Sequence, residues 1–240
     1  MSKVYQRVLL KISGECFSHD KLFNSVVTQI AQVAKSKTRI AVVIGGGNII
    51  RGRTARIGCL DPTRVDSTNQ IDPIAADRAG MLATIINGIK LADTLQKYST
   101  PVEHFAAFAV GDFIQTYNNE RAQESLTAGK VLVLSGGTGN PFFSTDSAAA
   151  LRAVELKMDI ILKGTRVGGV FSADPEKNPK ARLYKRLTYK EALAKGLAVM
   201  DLTAFALCQT HRLPIIVFDI TQPGAILKVI RGEKIGSYIC

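Results

Sequence analysis

Apolar positions along the chain fall into two alternating patterns, and their order predicts the architecture. Short continuous runs of branched residues at 8–12, 40–44, 131–134, 160–162 and 215–218 predict strands buried on both faces. Helical spacing is read at 26–35, 146–156 and 189–194. It is clearest from 75 to 97, where Met81, Leu82, Ile85, Ile86, Ile89, Leu91 and Leu95 recur near the helical period, with Asp77 and Arg78 expected in the first turn. Such alternation implies the α/β class: a three-layer αβα sandwich with a mainly parallel central sheet, as a single domain over residues 1–240. The polar stretch at 53–73, with two prolines, is expected to be a surface loop.

Glycine-bearing turns follow the strands that end at Ile44, Leu134 and Leu162. Open sheets bind ligands outside the carboxyl ends of their strands, so these loops should converge on one cleft. The first strand runs into Lys11-Ile12-Ser13-Gly14-Glu15, a cation beside backbone amides. That suits phosphoryl transfer, where fixed positive charge does most of the catalytic work, although a solvated lysine in an ordinary turn fits the same residues. The second turn, Gly45-Gly46-Gly47-Asn48-Ile49-Ile50-Arg51-Gly52, lets main-chain amides approach a phosphate while Arg51 offers a rigid fork. Ile50 stands where the dinucleotide fingerprint needs its third glycine, and no GxxxxGK[ST] pattern occurs, which argues against the Rossmann and P-loop classes.

The third turn, residues 135–146, carries hydroxyls, an amide and two aromatics, a combination able to bind a polar ligand and offer a surface to a base. Asp146 also reads as a helix N-cap. In the fourth, residues 163–175, Gly168-Gly169 suggests a hairpin tip or lid and Phe171 a surface for adenine. Asp174-Pro175 reads as a polar contact or a plain turn.

Composition refines this picture only modestly. A content of 46% hydrophobic and 21% charged residues is that of a globular protein, and a net charge of +11 suits polyanionic ligands. Basic residues are spread along the chain, with modest clustering at 51–64 and 177–190 and no RNP or zinc-finger pattern, so nucleic acid is not expected as the main partner. No apolar run approaches the roughly 20 residues of a membrane helix, and the first segment lacks a signal-peptide core, so a cytoplasmic protein without membrane association is expected. Cys16, Cys59, Cys208 and Cys240 are scattered, without ligand spacing, and are expected to be reduced thiols. His19, His104 and His211 share no short spacing, and none is assigned a metal or acid–base role.

The four turns, in this order, together with Asp77-Arg78-Ala79-Gly80-Met81-Leu82-Ala83-Thr84, resemble the amino acid kinase family, and GTGNPFFSTDSAA at 137–149 resembles its bacterial UMP kinase branch. The resemblance covers nearly all of residues 5–238 and implies ATP-dependent phosphorylation of UMP to UDP in pyrimidine nucleotide biosynthesis. By that resemblance Lys11, Ile12, Ser13 and Gly14 would lie along the ATP phosphates, and Gly47 and Arg51 would contact ATP and the moving phosphoryl group. Thr165, Phe171 and Asp174 would form the adenosine side. Gly46 would approach the UMP phosphate, Asp77 would hold its ribose hydroxyls, and Thr138, Gly139, Asn140, Pro141, Phe142, Phe143, Ser144 and Thr145 would wrap the nucleotide. Lys11, Arg51, Asp146 and Asp201 would form the catalytic set.

The resemblance further implies Mg²⁺ arriving with ATP, no dedicated protein metal site, a homohexamer with the helix from Ala75 as candidate interface, and UTP as a possible inhibitor. Three departures bear on this. The segment after Glu15 is short where many members have a glycine-bearing stretch near the GTP effector site. Extra residues lie between Arg51 and Asp77, and Gly168 stands where the family usually has Asp. Altered effector or nucleotide response is expected, not loss of activity. Two other readings are another amino acid kinase acting on a carboxylate or carbamate, and a non-catalytic nucleotide sensor or nucleic-acid binder.

Overall fold

A computed structural model describes residues 5–50, 72–175, 177–197 and 199–240. The elements run β1 (Arg7–Ile12), a 3-10 turn (Gly14–Ser18), α1 (Asp20–Ala34), β2 (Arg39–Ile44), α2 (Pro73–Lys97), β3 (Val102–Ala106), β4 (Gln115–Thr116), α3 (Asn119–Thr127) and β5 (Val131–Ser135). They continue with α4 (Thr145–Glu155), β6 (Ile160–Thr165), β7 (Arg186–Leu187), α5 (Tyr189–Ala194), α6 (Leu202–Thr210), β8 (Ile215–Asp219), α7 (Ala225–Ile230) and β9 (Ser237–Ile239). Among the described residues the strands form one sheet in the order β4-β3-β5-β2-β1-β6-β8-β9-β7, parallel throughout except for the β8–β9 pair.

Continuous apolar runs are required here because the central strands are covered on both faces. Val8, Leu10, Ile12, Ile40, Val42 and Ile44 join α1, α7 and the end of α2 in one core, whereas Leu9, Ala41, Val43, Leu132 and Ile161 join α3 to α6 in the other. Alternate residues thus feed opposite layers, as the two-residue period of a strand dictates. Leu9 is fully buried, so Leu9→Ala would cost about 3 kcal/mol.

Helix α1 begins at Asp20, six residues before the apolar spacing read from 26, and three boundaries nearer the site differ from the sequence reading for identifiable reasons. Helix α2 begins at Pro73, because the Asp72 carboxylate accepts from Ile74 N (2.9 Å) and Ala75 N (3.2 Å), which places Asp77 in the second turn and not the first. Helix α4 is capped by Ser144, whose hydroxyl accepts from Asp146 N (2.9 Å) and Ser147 N (3.3 Å); Asp146 is therefore a first-turn residue and not the N-cap. Strand β6 continues through Lys163 and Gly164 to Thr165, since β8 pairs with it as far as Asp219. Gly164 packs under Ile220, where a Cβ would lie 2.6 Å from the side chain. Arg51 and positions 53–71 of the polar stretch lie outside the described residues.

Candidate active site

Strands β1 and β2 end side by side, and their turns pack backbone against backbone. Gly45 N donates to Ile12 O (2.9 Å), and a Cβ on Gly14 would lie 2.5 Å from Asn48 Oδ1 and 2.7 Å from Gly47 N. Only glycine permits that approach. Buried Asn87 of α2 fixes the second turn: its amide donates to Gly45 O and to Asn48 Oδ1 (2.8 Å each), and Asn48 donates back to Asn87 (3.2 Å).

The turn after β5 closes against α2. Gly136 N donates to Thr84 Oγ1 (2.7 Å), and Thr138 Oγ1 accepts from Asn140 N (3.2 Å). Phe142 has φ +70°, a left-handed conformation that disfavours a bulky residue, and its amide donates to Asp77 Oδ2 (2.7 Å). The carboxylate thereby holds the loop in a strained state. A cavity of about 240 Å³ results, lined by Gly46, Gly47, Asp77, Asn140, Phe143, Ser144 and Thr145. Thr138, Gly139, Pro141 and Phe142 belong to the same loop without lining that cavity, and Phe142 points into solvent at 66% exposure.

Two further cavities are lined by the carboxyl ends of β1, β6 and β8. One of about 360 Å³ is lined by Lys11, Ile12, Ser13, Lys163 and Thr165; Gly14 is not on its wall. The next, of about 410 Å³, is lined by Lys163, Thr165, Phe171 and Asp174. The Asp174-Pro175 turn is closed by Asn178 N donating to Asp174 O (2.8 Å). The Glu15 carboxylate pairs with Arg166, tying the first turn to the segment after β6.

Asp146 lies between two ammonium groups, that of Lys11, which lines the first of these two cavities, and that of Lys163, which lines both. Lys163 Nζ donates to Asp146 Oδ2 and to Val199 O (2.6 Å each), while Lys11 Nζ pairs with Asp146 Oδ1 at 2.8 Å. Side-chain exposure is only 13–15% for all three. Burial alone would raise the Asp146 pKa, but the charges of Lys11 and Lys163 override it and hold the carboxyl below its ordinary value. Burial lowers the pKa of Lys163, with Lys11 adding to the effect and Asp146 opposing it.

Asp201 is not on the wall of any of these cavities. It caps α6 by accepting from Ala204 N (2.9 Å), and it accepts from Ser147 Oγ (2.9 Å) and from the Ser144 hydroxyl. It thus clamps the start of α4 to the start of α6.

Several contributors escaped the sequence reading. Lys163 was seen only as part of a motif, yet β1 and β6 pair in a register that sets Lys11 opposite Lys163; the visible signal was a second lysine closing a buried strand before glycine. His104 sits against Gly88 of α2, and its Nε2 is 2.8 Å from Ser135 Oγ at the root of the 138–145 loop. Burial pushes this imidazole down to about 4, so it is neutral near pH 7. Ser237, fully buried, accepts from Val170 N (2.8 Å) and secures the segment beyond Gly169.

Glycine turns at adjacent strand ends, leading to buried cations that flank one carboxylate, define a phosphotransferase built on an open α/β sheet. The amino acid kinase family model matches residues 6–219. Uridylate kinase of Methylococcus capsulatus is 40% identical, over 98% of this chain and 97% of that protein. The chloroplastic uridylate kinase PUMPKIN of Arabidopsis thaliana is 41% identical, over 98% and 68%. Among solved structures, UMP kinase from Bacillus anthracis superposes with a TM-score of 0.90 at 30% identity, covering 99% of this chain and 96% of that one. UMP kinase from Ureaplasma parvum gives 0.87 at 34%, covering 98% of each. The chain belongs to the amino acid kinase family and, within it, to the uridylate kinases.

Proposed function

We propose that the chain transfers the γ-phosphoryl group of ATP to the 5′-phosphate of UMP, forming UDP and ADP. The observation that carries this reading is the Lys11–Asp146–Lys163 centre: Asp146 directly follows Thr145, on the wall of the cavity of Gly46 and Asp77, and Lys163 lines the cavity of Thr165, Phe171 and Asp174. UMP occupies the first: its phosphate meets Gly46, its ribose Asp77, and its base the loop from Thr138 to Thr145. A carboxylate has acceptor capacity for both the Phe142 amide and a ribose hydroxyl.

ATP lies along Lys11, Ile12, Ser13, Gly14 and Gly47, with Arg51 on its phosphates and adenosine against Phe171. An oxygen of the UMP phosphate attacks the γ-phosphorus, the bond to the bridging oxygen of ADP breaks, and the negative charge moves onto ADP. That nucleophile is already anionic, so in-line placement and cations suffice without a general base. Mg²⁺ enters as part of the MgATP substrate and neutralises phosphate charge. Among the described residues no group of three His, Cys, Asp or Glu side chains is placed to hold a metal.

The same reading includes a homohexamer, a cytoplasmic location, a place in pyrimidine nucleotide synthesis and inhibition by UTP. The stripe of Leu82, Ile86 and Ile89 on α2, exposed by 51%, 55% and 43%, supports self-association through that helix. A coupled ADP-release assay tests the activity. Turnover with UMP and not with CMP, glutamate or aspartate is expected, and ADP release with glutamate or aspartate alone would overturn it.

A further inference from the structure

Helix α2 contains two glycines, Gly80 and Gly88, and packing explains only the second. A Cβ on Gly88 would lie 2.6 Å from His104 Nε2 and 3.3 Å from Ser135 Cβ, so the helix needs bare backbone there to lie against β3 and β5. A Cβ on Gly80 would meet nothing within 4 Å among the described residues. Glycine in a helix interior is less stable than alanine, because it has more conformational freedom to lose on folding. At position 80 no contact within the described fold offsets that loss.

Gly80 is half-buried and stands on the wall of the cavity of Gly46 and Asp77. Asp77, Gly80 and Thr84 fall at i, i+3 and i+7, so they share one face of α2, and all three line that cavity. The exposed stripe of Leu82, Ile86 and Ile89 lies about half a turn round the helix from Gly80 and faces away from it.

The turn after β2 closes on the same point. A Cβ on Gly46 would lie 2.8 Å from Gly80 O and 2.9 Å from Ala83 Cβ, so Gly46 rests directly on the Gly80 peptide. With a rise of about 1.5 Å per residue, Asp77 and Gly80 stand about 4.5 Å apart along the axis, a separation that the ribose and 5′-methylene of one nucleotide can span. The cavity's volume of about 240 Å³ lies below the roughly 300–1,000 Å³ common for small-molecule sites, so a group as small as a methyl is felt by an occupant.

We propose that Gly80 is a substrate-contact position: the space a side chain would fill is taken by the 5′ edge of the UMP ribose, which passes over bare helix between Asp77 and Gly46. The inference rests on the placement of UMP in this cavity proposed above. On this account the substrate, and not the fold, requires glycine at 80, so substitution should separate stability from activity.

The test follows thermal unfolding and UMP-dependent ADP release in the wild type, Gly80→Ala and Gly80→Val, with thermal unfolding of Gly88→Ala for comparison. Gly80→Ala should raise the Tm by about 2–4 °C through helix propensity. It should also raise the KM for UMP by about tenfold or more while the KM for ATP stays within about twofold, and Gly80→Val should raise the KM for UMP further. Gly88→Ala, whose Cβ strikes His104, should lower the Tm.

A KM for UMP within about threefold of wild type in Gly80→Ala overturns the contact, and so does an equal rise in the KM for ATP. A lowered Tm in Gly80→Ala overturns the premise that the fold leaves the position free. Wild-type protein that releases no ADP with UMP is a different result, which overturns the activity proposed above and the inference with it.

Discussion

Asp146→Asn is the most informative perturbation, because it removes one charge without altering shape. In the wild type the carboxylate meets Lys11 at 2.8 Å and Lys163 at 2.6 Å, all three side chains being 13–15% exposed. At an effective dielectric of about 20, each contact is worth roughly 6 kcal/mol of gross Coulomb energy, most of which offsets the cost of taking three charges from water. The substitution deletes the attraction and leaves two cations facing each other. The expected net loss is about 3 kcal/mol of unfolding free energy, in the range for breaking a buried ion pair.

Denaturant unfolding should therefore show a lower midpoint with an unchanged slope. MgATP should recover part of the loss, since its phosphates replace the missing negative charge. The kcat should fall by about a hundredfold or more through misplacement of Lys11. The pH response provides a second readout. The folded pKa of Asp146 lies below the ordinary 3.8, so its stabilisation is fully present above that value and is lost as pH falls through the lower folded value. The Asp146→Asn variant would lack this acid limb. A stability change under about 1 kcal/mol with kcat within about twofold of wild type would refute the electrostatic account.

Lys11→Ala should lower kcat far more than it raises the KM for UMP, because the charge matters most as the phosphoryl group moves; unchanged steady-state turnover would remove Lys11 from the reaction. Asp77→Asn should raise the KM for UMP and loosen the Phe142 contact, and an effect confined to the KM for ATP would contradict its placement. Gly14→Ala should abolish turnover in the coupled assay, since its Cβ meets Asn48 and the Gly47 amide at 2.5 and 2.7 Å; near-wild-type kcat would disprove the close packing of the two turns. His104, a base held from 6.5 down to about 4, keeps its full contribution above pH 6.5 and loses up to about 3 kcal/mol as pH falls toward 4. Unfolding midpoints of His104→Gln should lack that slope, and an identical slope would show that another group titrates.

The strands at the sheet's centre were readable because burial on two faces demands continuous apolar residues, as in Arg39–Ile44 and Ile215–Asp219. The turns after them were readable because glycine clusters have few other uses. Helix α3 (Asn119–Thr127) escaped, being short and largely polar, and so did β3 (Val102–Ala106), whose Glu103 and His104 break the apolar run. Glu103 accounts for itself only in three dimensions, accepting from Lys130, Ser125 and Gln115. Long-range partnerships left no local trace either: Asn48 with Asn87, His104 with Ser135, and Ser237 with Val170 are set by packing, not by spacing along the chain.

The two lysines show why topology had to complete the site. They occupy the same level on neighbouring parallel strands, and one carboxylate from α4 faces both. Lys163 is tied by two directed hydrogen bonds, to Asp146 and to Val199 O, and so is a fixed cation. Lys11 pairs with Asp146 at 2.8 Å and lines the cavity next to Ser13. In the proposed reaction Lys11 would meet the charge of the moving phosphoryl group, while the ion pair with Lys163 keeps the carboxylate ionised. The positive ends of α4 and α6 further stabilise negative charge at Asp146 and Asp201, and Ser144 and Ser147 tie those ends together through Asp201. Two cations held on one buried carboxylate are the arrangement that the proposed phosphoryl transfer uses, because charge must be met without reorganising the site.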